Sequence, residues 1–349
     1  MSFYREGEAG VMALKHSSRI VAGVFPASEK TMLRQHGRPV RSTQRRSQRR
    51  MNLGLISMAL PGILVLLVMA YLPMVGILIA FKNYLPFEGF FGSAWVGFQN
   101  FRFLFGTSEA WRITRNTLFM NSLFIIFGTL AALGVGLLLN EVRDSSRLAF
   151  LPKIYQAVIF FPYLISYVLV SYFTYALFNG DTGLLNHLFA TLHLPAVDWF
   201  SSPQYWPAIL TLVYLWKNVG FTAVIFLAGM VAISPEYYEA ARMDGANGWQ
   251  QMRYITLPLL KPLILLVVLL AIGRIFYEDF GLFFQVPNNQ PALYPATDVI
   301  DTYVYRALIT LDDIGMSSAA GLYQSVVGFI LIFTANWFVR RIEPDQAAF

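Results

Sequence analysis

The sequence predicts an all-α membrane protein that crosses the bilayer six times. Its 349 residues are 56% hydrophobic and only 13% charged, and their mean hydropathy is +0.52. Soluble domains carry about 25% charged residues. A helix needs about 20 mostly apolar residues to cross a bilayer, and six segments of the chain meet that requirement. We therefore expect most of the chain to form one helical bundle in a membrane.

The six predicted spans are mostly apolar segments separated by more polar loops. They are residues 53–81, 117–139, 154–178, 206–232, 259–280 and 317–339. Pro162 in the third span and Pro262 in the fifth predict local kinks, which neighbouring helices can compensate. The fifth span has the most polar end, because Arg274, Glu278 and Asp279 fall in its last two turns.

The distribution of positive charge predicts the orientation of the chain. Residues 1–50 contain 11 Lys or Arg against 3 Asp or Glu, and they end in RSTQRRSQRR. With the N-terminus inside, 19 Lys or Arg lie on the cytoplasmic side and 5 outside, so both termini are predicted to be cytoplasmic. An arginine-rich run can also bind nucleic acid. A span follows directly, however, which favours anchoring to membrane lipid and no nucleic-acid partner.

This charge pattern divides the chain into a basic cytoplasmic N-terminal tail, residues 1–50, and a transmembrane domain, residues 51–349. The chain contains no cysteine, which excludes disulfides, thiolate metal sites and cysteine nucleophiles. It has four His, and we expect no metal site and no catalytic residues. It also lacks the GxxxxGK[ST] phosphate-binding loop, so we expect no bound cofactor and no ATP hydrolysis of its own by that route.

The segment between the fourth and fifth spans, residues 233–258, is predicted to form two short helices. Ser234 offers a capping hydroxyl in front of Pro235, and Gly245 suits a left-handed helix end. Asn247 can cap a second helix, residues 248–256, which Pro258 is expected to close. An interfacial helix pair without a partner is the alternative, but the loop is not strongly basic, and its small and polar residues suit a protein groove.

This loop carries the spacing EAA-x3-G-x9-I-x-L-P, which resembles the EAA loop of permease subunits of type I ATP-binding-cassette (ABC) sugar importers. The resemblance covers about residues 52–345 and implies that the loop couples the permease to its ATPase. The residues that it assigns to coupling are Glu239, Ala240, Ala241, Asp244, Gly245, Ile255, Leu257 and Pro258. Residues 92–105 and 292–308 look like a subgroup that takes up oligosaccharides and polysaccharides, including the alginate importer.

The resemblance implies the partners as well as the fold. It implies the type I importer permease fold in a bacterial cytoplasmic (inner) membrane, where a multi-pass subunit forms a heterodimer with a second permease. A dimer of cytoplasmic ABC ATPases would use ATP and Mg, and an extracytoplasmic sugar-binding protein would deliver the cargo. An alginate-like uronate oligomer is the specific cargo that the subgroup suggests.

Polar side chains inside the spans are candidates for the substrate pathway, because ionisable groups in a membrane are costly. Sugars are bound by hydrogen-bonding and aromatic side chains, and the candidates are Tyr214, Lys217, Asn218, Arg274, Tyr277, Glu278, Tyr323 and Gln324. Arg274 and Glu278 can alternatively form a structural i,i+4 pair, and the tyrosines can be interfacial anchors. Lys217 and Arg274 are candidates to select an anionic sugar, although the resemblance implies that specificity rests largely with the binding protein.

Two other functions compete with a permease subunit. An ion-coupled secondary transporter would be expected to carry a buried acidic relay and usually more spans. A membrane enzyme acting on glycans would need a catalytic pair, but Glu278 and Asp279 are adjacent and point to different helix faces. The sequence therefore predicts a transport subunit that is not an enzyme by itself.

Overall fold

The computed structural model of the protein describes residues 43–102, 106–145, 150–277 and 279–342. Within these ranges the chain is almost entirely helical and forms no β-strand, apart from an isolated bridge between Lys82 and Trp95. The chain divides into two compact units between Pro73 and Met74. The predicted all-α fold is confirmed.

The described part of the first unit is helical, and its last element continues along the chain into the second unit. Helix α1, Thr43–Leu66, continues into a π-helical turn, Leu67–Tyr71, and a 3-10 helix, Leu72–Phe81, follows. The 28 residues Gly54–Phe81 are long and apolar enough to cross a membrane, as predicted for residues 53–81. Their side chains are apolar on all sides, which is typical of a helix that lies in lipid. Most of the predicted basic tail lies outside the described residues.

The second unit begins with short elements and a long helix. Helix α2, Gly89–Gly92, and a 3-10 turn, Gln99–Phe101, precede helix α3, Glu109–Ser145. Helix α3 contains the predicted second span and extends beyond it at both ends.

The third span is broken rather than kinked. Helices α4, Leu151–Leu164, and α5, Tyr167–Phe178, meet at an angle of 92°. Ile165 and Ser166 between them have extended backbone conformations, which interrupt the helical hydrogen bonds three residues after Pro162. The expected local kink is therefore a complete break, and the structure contains five unbroken candidate spans and one broken one among the described residues.

The fourth span packs closely on α3. After helix α6, Leu184–Thr191, and two 3-10 turns comes helix α7, Trp206–Val231. The two long helices run in the same direction, since Gly128 lies against Tyr214 and Gly136 lies against Ala223. A Cβ at position 136 would lie 3.2 Å from the Ala223 carbonyl oxygen, so glycine permits this close approach.

The fifth span begins earlier and ends earlier than predicted. Helix α8, Pro235–Met243, is followed by α9, Gly248–Gln251, a π-helical turn, Met252–Thr256, and α10, Leu257–Gly273. Residues Gly248–Gly273 form one continuous candidate span, so the prediction that Pro258 ends a separate helix was wrong. In the π-helical turn the N–H of Leu257 donates to the carbonyl of Met252, and this wider turn accommodates the proline in the helix.

Residues 274–277 form a turn beyond the end of α10. Arg274 therefore lies outside the helix that the predicted i,i+4 pair requires. The reason is that the helix ends at Gly273 rather than at residue 280. Glu278 itself lies outside the described residues.

The last part of the chain contains three short elements and two longer helices. The short elements are α11, Phe280–Phe284, a 3-10 turn, Pro291–Leu293, and α12, Tyr294–Thr297. Helix α13, Ile300–Ile309, leads to α14, Ile314–Ile342, which contains the predicted sixth span. Helix α14 runs antiparallel to α10, since Gly273 lies against Ile332 and Phe276 lies against Gly328.

The second unit has two ends and at least two cores along its length. We call the end that carries residues 233–256 the loop end, and the end where α3 and α14 begin the opposite end. The loop-end core contains Ala132, Ala223, Phe226, Met230 and Leu260. The central core contains Met120, Phe124, Val170, Trp206, Ile209, Leu210, Leu282, Phe283, Val286, Leu293 and Val299.

Candidate functional site

The segment between α7 and α10 forms the two-helix structure that the sequence predicts. Gly245 ends the first helix with a φ of 81°, in the left-handed region that favours glycine. Asn247 and Gln250 form a capping box, in which the Asn247 side chain accepts from the Gln250 N–H at 2.9 Å and the Gln250 side chain accepts from the Asn247 N–H at 2.8 Å. Ser234 occupies the predicted N-cap position of α8, but its hydroxyl makes no capping hydrogen bond.

Hydrogen bonds fix this segment to the start of the fifth span. The Tyr238 hydroxyl lies 3.0 Å from the Thr256 hydroxyl, and Thr256 is buried. The Gln251 side chain donates to the carbonyl of Ala246 at 2.9 Å, and the N–H of Ala246 donates to the carbonyl of Ala241 at 2.9 Å. The loop is therefore a folded element rather than a loose connection.

The predicted coupling residues are mostly accessible in this structure. The exposed ones are Glu239, Ala240, Asp244, Gly245 and Pro258, while Ala241, Ile255 and Leu257 are half-buried.

Large apolar side chains, which the sequence analysis did not single out, surround these residues. Tyr237, Met243, Trp249 and Tyr254 are between 57% and 89% exposed. Aromatic residues and methionine in a cluster with small residues are typical of a protein-binding surface. Their exposure follows from the position of this segment beyond the bundle, which the spacing of the motif does not reveal.

Lys217 lies at the break in the third span. It is only 6% exposed, and its ammonium donates to the carbonyls of Tyr163 at 2.8 Å and Ile165 at 2.5 Å. The Pro162 carbonyl lies 3.5 Å from the same nitrogen, and the Tyr167 ring lies 4.8 Å away. Lys217 was predicted to line the substrate pathway, and this remains a prediction. In this structure its hydrogen bonds go to the interrupted helix.

The other two fourth-span candidates also contact their surroundings. Tyr214 stacks on Phe124 with ring centroids 4.3 Å apart, and Asn218 donates to the Tyr214 carbonyl at 3.1 Å.

Asp279 interacts electrostatically with Lys217 and lies close to Tyr167. The Tyr167 hydroxyl is buried and completes no hydrogen bond of ordinary geometry among the described residues. Neither Tyr167 nor Asp279 was a predicted pathway residue.

The candidates near the ends of the fifth and sixth spans are brought together by α14. Gln324 is buried and donates to the Asp301 carboxylate at 2.7 Å and to the carbonyl of Phe276. Tyr323 lies 2.9 Å from the Thr114 hydroxyl.

Tyr277 is exposed, and its hydroxyl lies 3.0 Å from the Ser325 hydroxyl. Arg274 is exposed as well. These contacts place Gln324 in a structural network, and they leave Tyr277 and Arg274 accessible.

A buried ion-pair cluster at the opposite end was missed by the sequence analysis. Asp298 is 1% exposed and contacts Arg306 at 2.6 Å and Arg112 at 3.2 Å. The Thr302 hydroxyl donates to the same carboxylate at 2.9 Å, and Arg306 lies over the Tyr294 ring at 4.1 Å. The cluster joins the start of α3 to the segment that contains α12 and α13. Arg112 and Asp298 are 186 positions apart in the chain, so no local pattern could reveal the pair.

Tyr303 lies beside this cluster in a buried position. Burial, reinforced by the nearby carboxylates of Glu109 and Asp298, raises the pKa of Tyr303 to about 12. Its hydroxyl therefore stays neutral at physiological pH, and it adds no charge to the cluster.

Comparison with known proteins identifies the family. Residues 125–344 match the family described as the binding-protein-dependent transport system inner membrane component. The chain belongs to this family. Protein LplB of Bacillus subtilis is 37% identical over 286 residues, which cover 82% of this chain and 88% of the relative. The polygalacturonan/rhamnogalacturonan transport system permease protein YteP of the same organism is 33% identical, with the same shares of both chains covered.

Solved structures of ABC transporters also match this chain. A chain in the crystal structure of a bacterial ABC transporter involved in the import of the acidic polysaccharide alginate matches with a TM-score of 0.74 and 29% identity. The match covers 86% of this chain and 99% of that one. A structure of bacterial alginate ABC transporter in complex with alginate pentasaccharide-bound periplasmic protein matches with a TM-score of 0.73 at 29% identity, covering 85% and 97%.

These matches confirm the predicted family and fold. The protein is a permease subunit of a binding-protein-dependent ABC importer of sugars or oligosaccharides, located in the inner membrane with several spans. It is the membrane component of a transport complex and not an enzyme, which excludes the glycan-processing alternative. A secondary transporter is excluded on the same ground.

Proposed function

We propose that this permease imports an acidic oligosaccharide and that residues 233–258 dock it onto a cytoplasmic ATPase. The observation that carries the docking proposal is the exposed, hydrogen-bonded two-helix segment at the loop end, with Glu239 on its surface and Trp249 and Tyr254 exposed beside it. A rigid segment with accessible apolar and acidic groups suits a groove on a partner protein.

The connections of this segment suggest how ATP would drive transport. It follows α7 directly, with the N–H of Ile233 bonded to the carbonyl of Met230, and it continues without interruption into α10. A displacement of the docked segment would therefore move α7 and α10 as helices. Closure of an ATPase dimer on ATP and Mg would in this way switch the pathway between inward-open and outward-open forms.

The proposed complex contains this chain, a second permease, a dimer of ABC ATPases and an extracytoplasmic sugar-binding protein. In this arrangement both termini and the loop end are cytoplasmic, and the opposite end faces the binding protein. The positive-charge count supports this orientation.

The proposed cargo class rests on the relatives. YteP is a polygalacturonan/rhamnogalacturonan transport permease, and the matching crystal structures are of an alginate importer; these polysaccharides contain uronic acids. An alginate-like uronate oligomer is therefore the specific proposal. Arg274 is exposed, whereas the ammonium of Lys217 is bonded to backbone carbonyls, so Arg274 is the better candidate to contact a carboxylate.

Purification of the tagged protein in mild detergent tests the assembly. We expect an ABC ATPase and a second permease to accompany the chain, and ATP hydrolysis to rise when a uronate-loaded binding protein is added. A homogeneous single chain that transports without ATP would contradict the proposal.

Competition in proteoliposomes tests the cargo. Unlabelled uronate oligomers should inhibit import of a labelled uronate oligomer, while neutral oligomers of equal length should not. If the complex imports a neutral oligosaccharide equally well and Arg274→Ala leaves that import unchanged, the acidic-cargo proposal fails.

A further inference from the structure

We propose that Lys217 is a positioning residue, which holds the two halves of the third span in their bent arrangement and so couples movement at the loop end to the opposite end. The inference rests on the proposed ATPase coupling only for its transport readout. The structural part concerns the helix break itself.

The break leaves backbone carbonyls without helical partners. In a continuous helix the carbonyl of Tyr163 would accept from the N–H of residue 167, but Ile165 and Ser166 are extended and interrupt the ladder. Unsatisfied backbone groups are costly in a membrane, because lipid offers no hydrogen bonds.

The charged ammonium of Lys217 donates hydrogen bonds to these carbonyls. Its ammonium donates to Tyr163 and Ile165 at 2.8 and 2.5 Å. A cation at the C-terminal end of a helix also interacts favourably with the helix dipole, here that of α4. The face of the Tyr167 ring, at the first residue of α5, adds a cation–π contact at 4.8 Å. One side chain on α7 therefore contacts both halves of the broken span.

The two halves pack against different parts of the bundle. Helix α4 lies directly on α7, since a Cβ at Gly220 would come within 2.0 Å of the Ile159 carbonyl oxygen. Helix α5 contributes Val170 to the central core, together with Leu282 of α11 and the first residues of α7. Lys217 thus lies at the joint between a half-span that packs on the middle of α7 and a half-span that packs in the central core.

This placement assigns Lys217 a role in coupling. When α7 moves with the docked loop, the ammonium keeps α4 and α5 at a fixed angle, so the displacement passes to α5 and its neighbours. Without the ammonium, the half-spans would change their angle, and ATP hydrolysis would proceed with little cargo movement.

A distance measurement across the break tests the structural part. The natural chain has no cysteine, so Ile154→Cys and Leu177→Cys place two spin labels at exposed sites on α4 and α5 in the purified complex. At the observed angle these sites lie about 24 Å apart, whereas a straight helix would separate them by about 35 Å. Lys217→Met should lengthen or broaden the distance distribution, and Lys217→Arg, which keeps the charge and N–H donors, should preserve it.

A coupling measurement on the same complexes tests the function. Lys217→Met should raise the ATP consumed per sugar imported by about tenfold or more. The reason is that loss of a hydrogen bond to a charged group changes an equilibrium constant by about that factor or more. The control Leu212→Ala, at an exposed site on the same helix, should leave the ratio unchanged. An unchanged distance and an unchanged ratio in Lys217→Met would overturn the inference.

If the complex with Lys217→Met fails to assemble, Pro162→Ala tests the inference instead. With Lys217 intact, restoring the N–H at position 162 should leave the distance near 24 Å, by the geometry given above. Straightening in this variant would show that the proline, and not the lysine, sets the bend, and would overturn the inference. Failure of the proposed ATPase coupling can be distinguished from failure of this inference, because an ATPase would then be absent from the wild-type preparation.

Discussion

The carboxylate of Asp298 lies 2.6 Å from the guanidinium of Arg306 and 3.2 Å from that of Arg112, in a site where Asp298 is fully enclosed. The negative charge of this carboxylate and the positive charges of the two guanidiniums compensate one another only while all three groups are present. Removal of its charge leaves the two partly buried arginines, 30% and 16% exposed, without their shared acidic partner.

Asp298→Asn should therefore lower the free energy of unfolding by about 3–5 kcal/mol. The measurement is unfolding in mixed micelles titrated with a denaturing detergent. Asp181→Asn, at an exposed position of the same end, is the control and should have little effect. Equal stability of the two variants would show that the cluster does not hold the opposite end together.

Gly220→Ala should separate α7 from α4. The added Cβ would meet the Ile159 carbonyl oxygen at 2.0 Å, a contact that backbone movement alone can relieve. We expect a loss of about 1–3 kcal/mol in unfolding free energy. Gly134→Ala on α3 meets no atom within 4 Å and should be neutral or stabilising, so a similar loss there would indicate a general effect of glycine replacement instead.

Asn247→Ala should loosen the second helix of the docking segment. The change removes the side-chain acceptor of the capping box, which contributes about 1 kcal/mol to helix stability. Amide hydrogen exchange of residues 248–251 in the intact complex should accelerate. Asn247→Asp keeps an acceptor and should exchange slowly, and identical exchange in all three proteins would show that the capping box contributes nothing.

The orientation of the chain can be tested by introduced cysteines. Phe87 at the opposite end and Met243 at the loop end are both highly exposed. In intact cells with a permeable outer membrane, a membrane-impermeant maleimide should label Phe87→Cys and should not label Met243→Cys until the cells are lysed. The reverse pattern would contradict cytoplasmic termini.

The sequence predicts best the features that local chemistry determines. The apolar runs predict the five unbroken candidate spans and the bent pair of helices, and the residue types at Gly245 and Asn247 predict the helix end and the cap that the structure contains. Each of these features depends on a few consecutive residues, so no knowledge of the folded chain is required.

Features that depend on distant residues were predicted less well. Pro258 was expected to end a helix, because a proline usually does, but the preceding π-helical turn accommodates it. Pro162 was expected to kink a span, and the structure contains a complete break, where Lys217, 54 positions from Tyr163, donates to the freed Tyr163 carbonyl. The Asp298 cluster was missed for the same reason, since its partners come from two separate parts of the chain.

The central claim is that residues 233–258 couple this permease to an ATPase, and ATPase retention by loop variants tests it most directly. Purified complexes that carry Glu239→Lys or Gly245→Leu should lose the ATPase or its stimulation by loaded binding protein, while the membrane bundle still assembles. The controls Glu236→Lys, an exposed acid on the same helix, and Gly248→Ala, where an added Cβ meets nothing within 4 Å, should retain both. Full ATPase retention and normal import in both loop variants would contradict the claim.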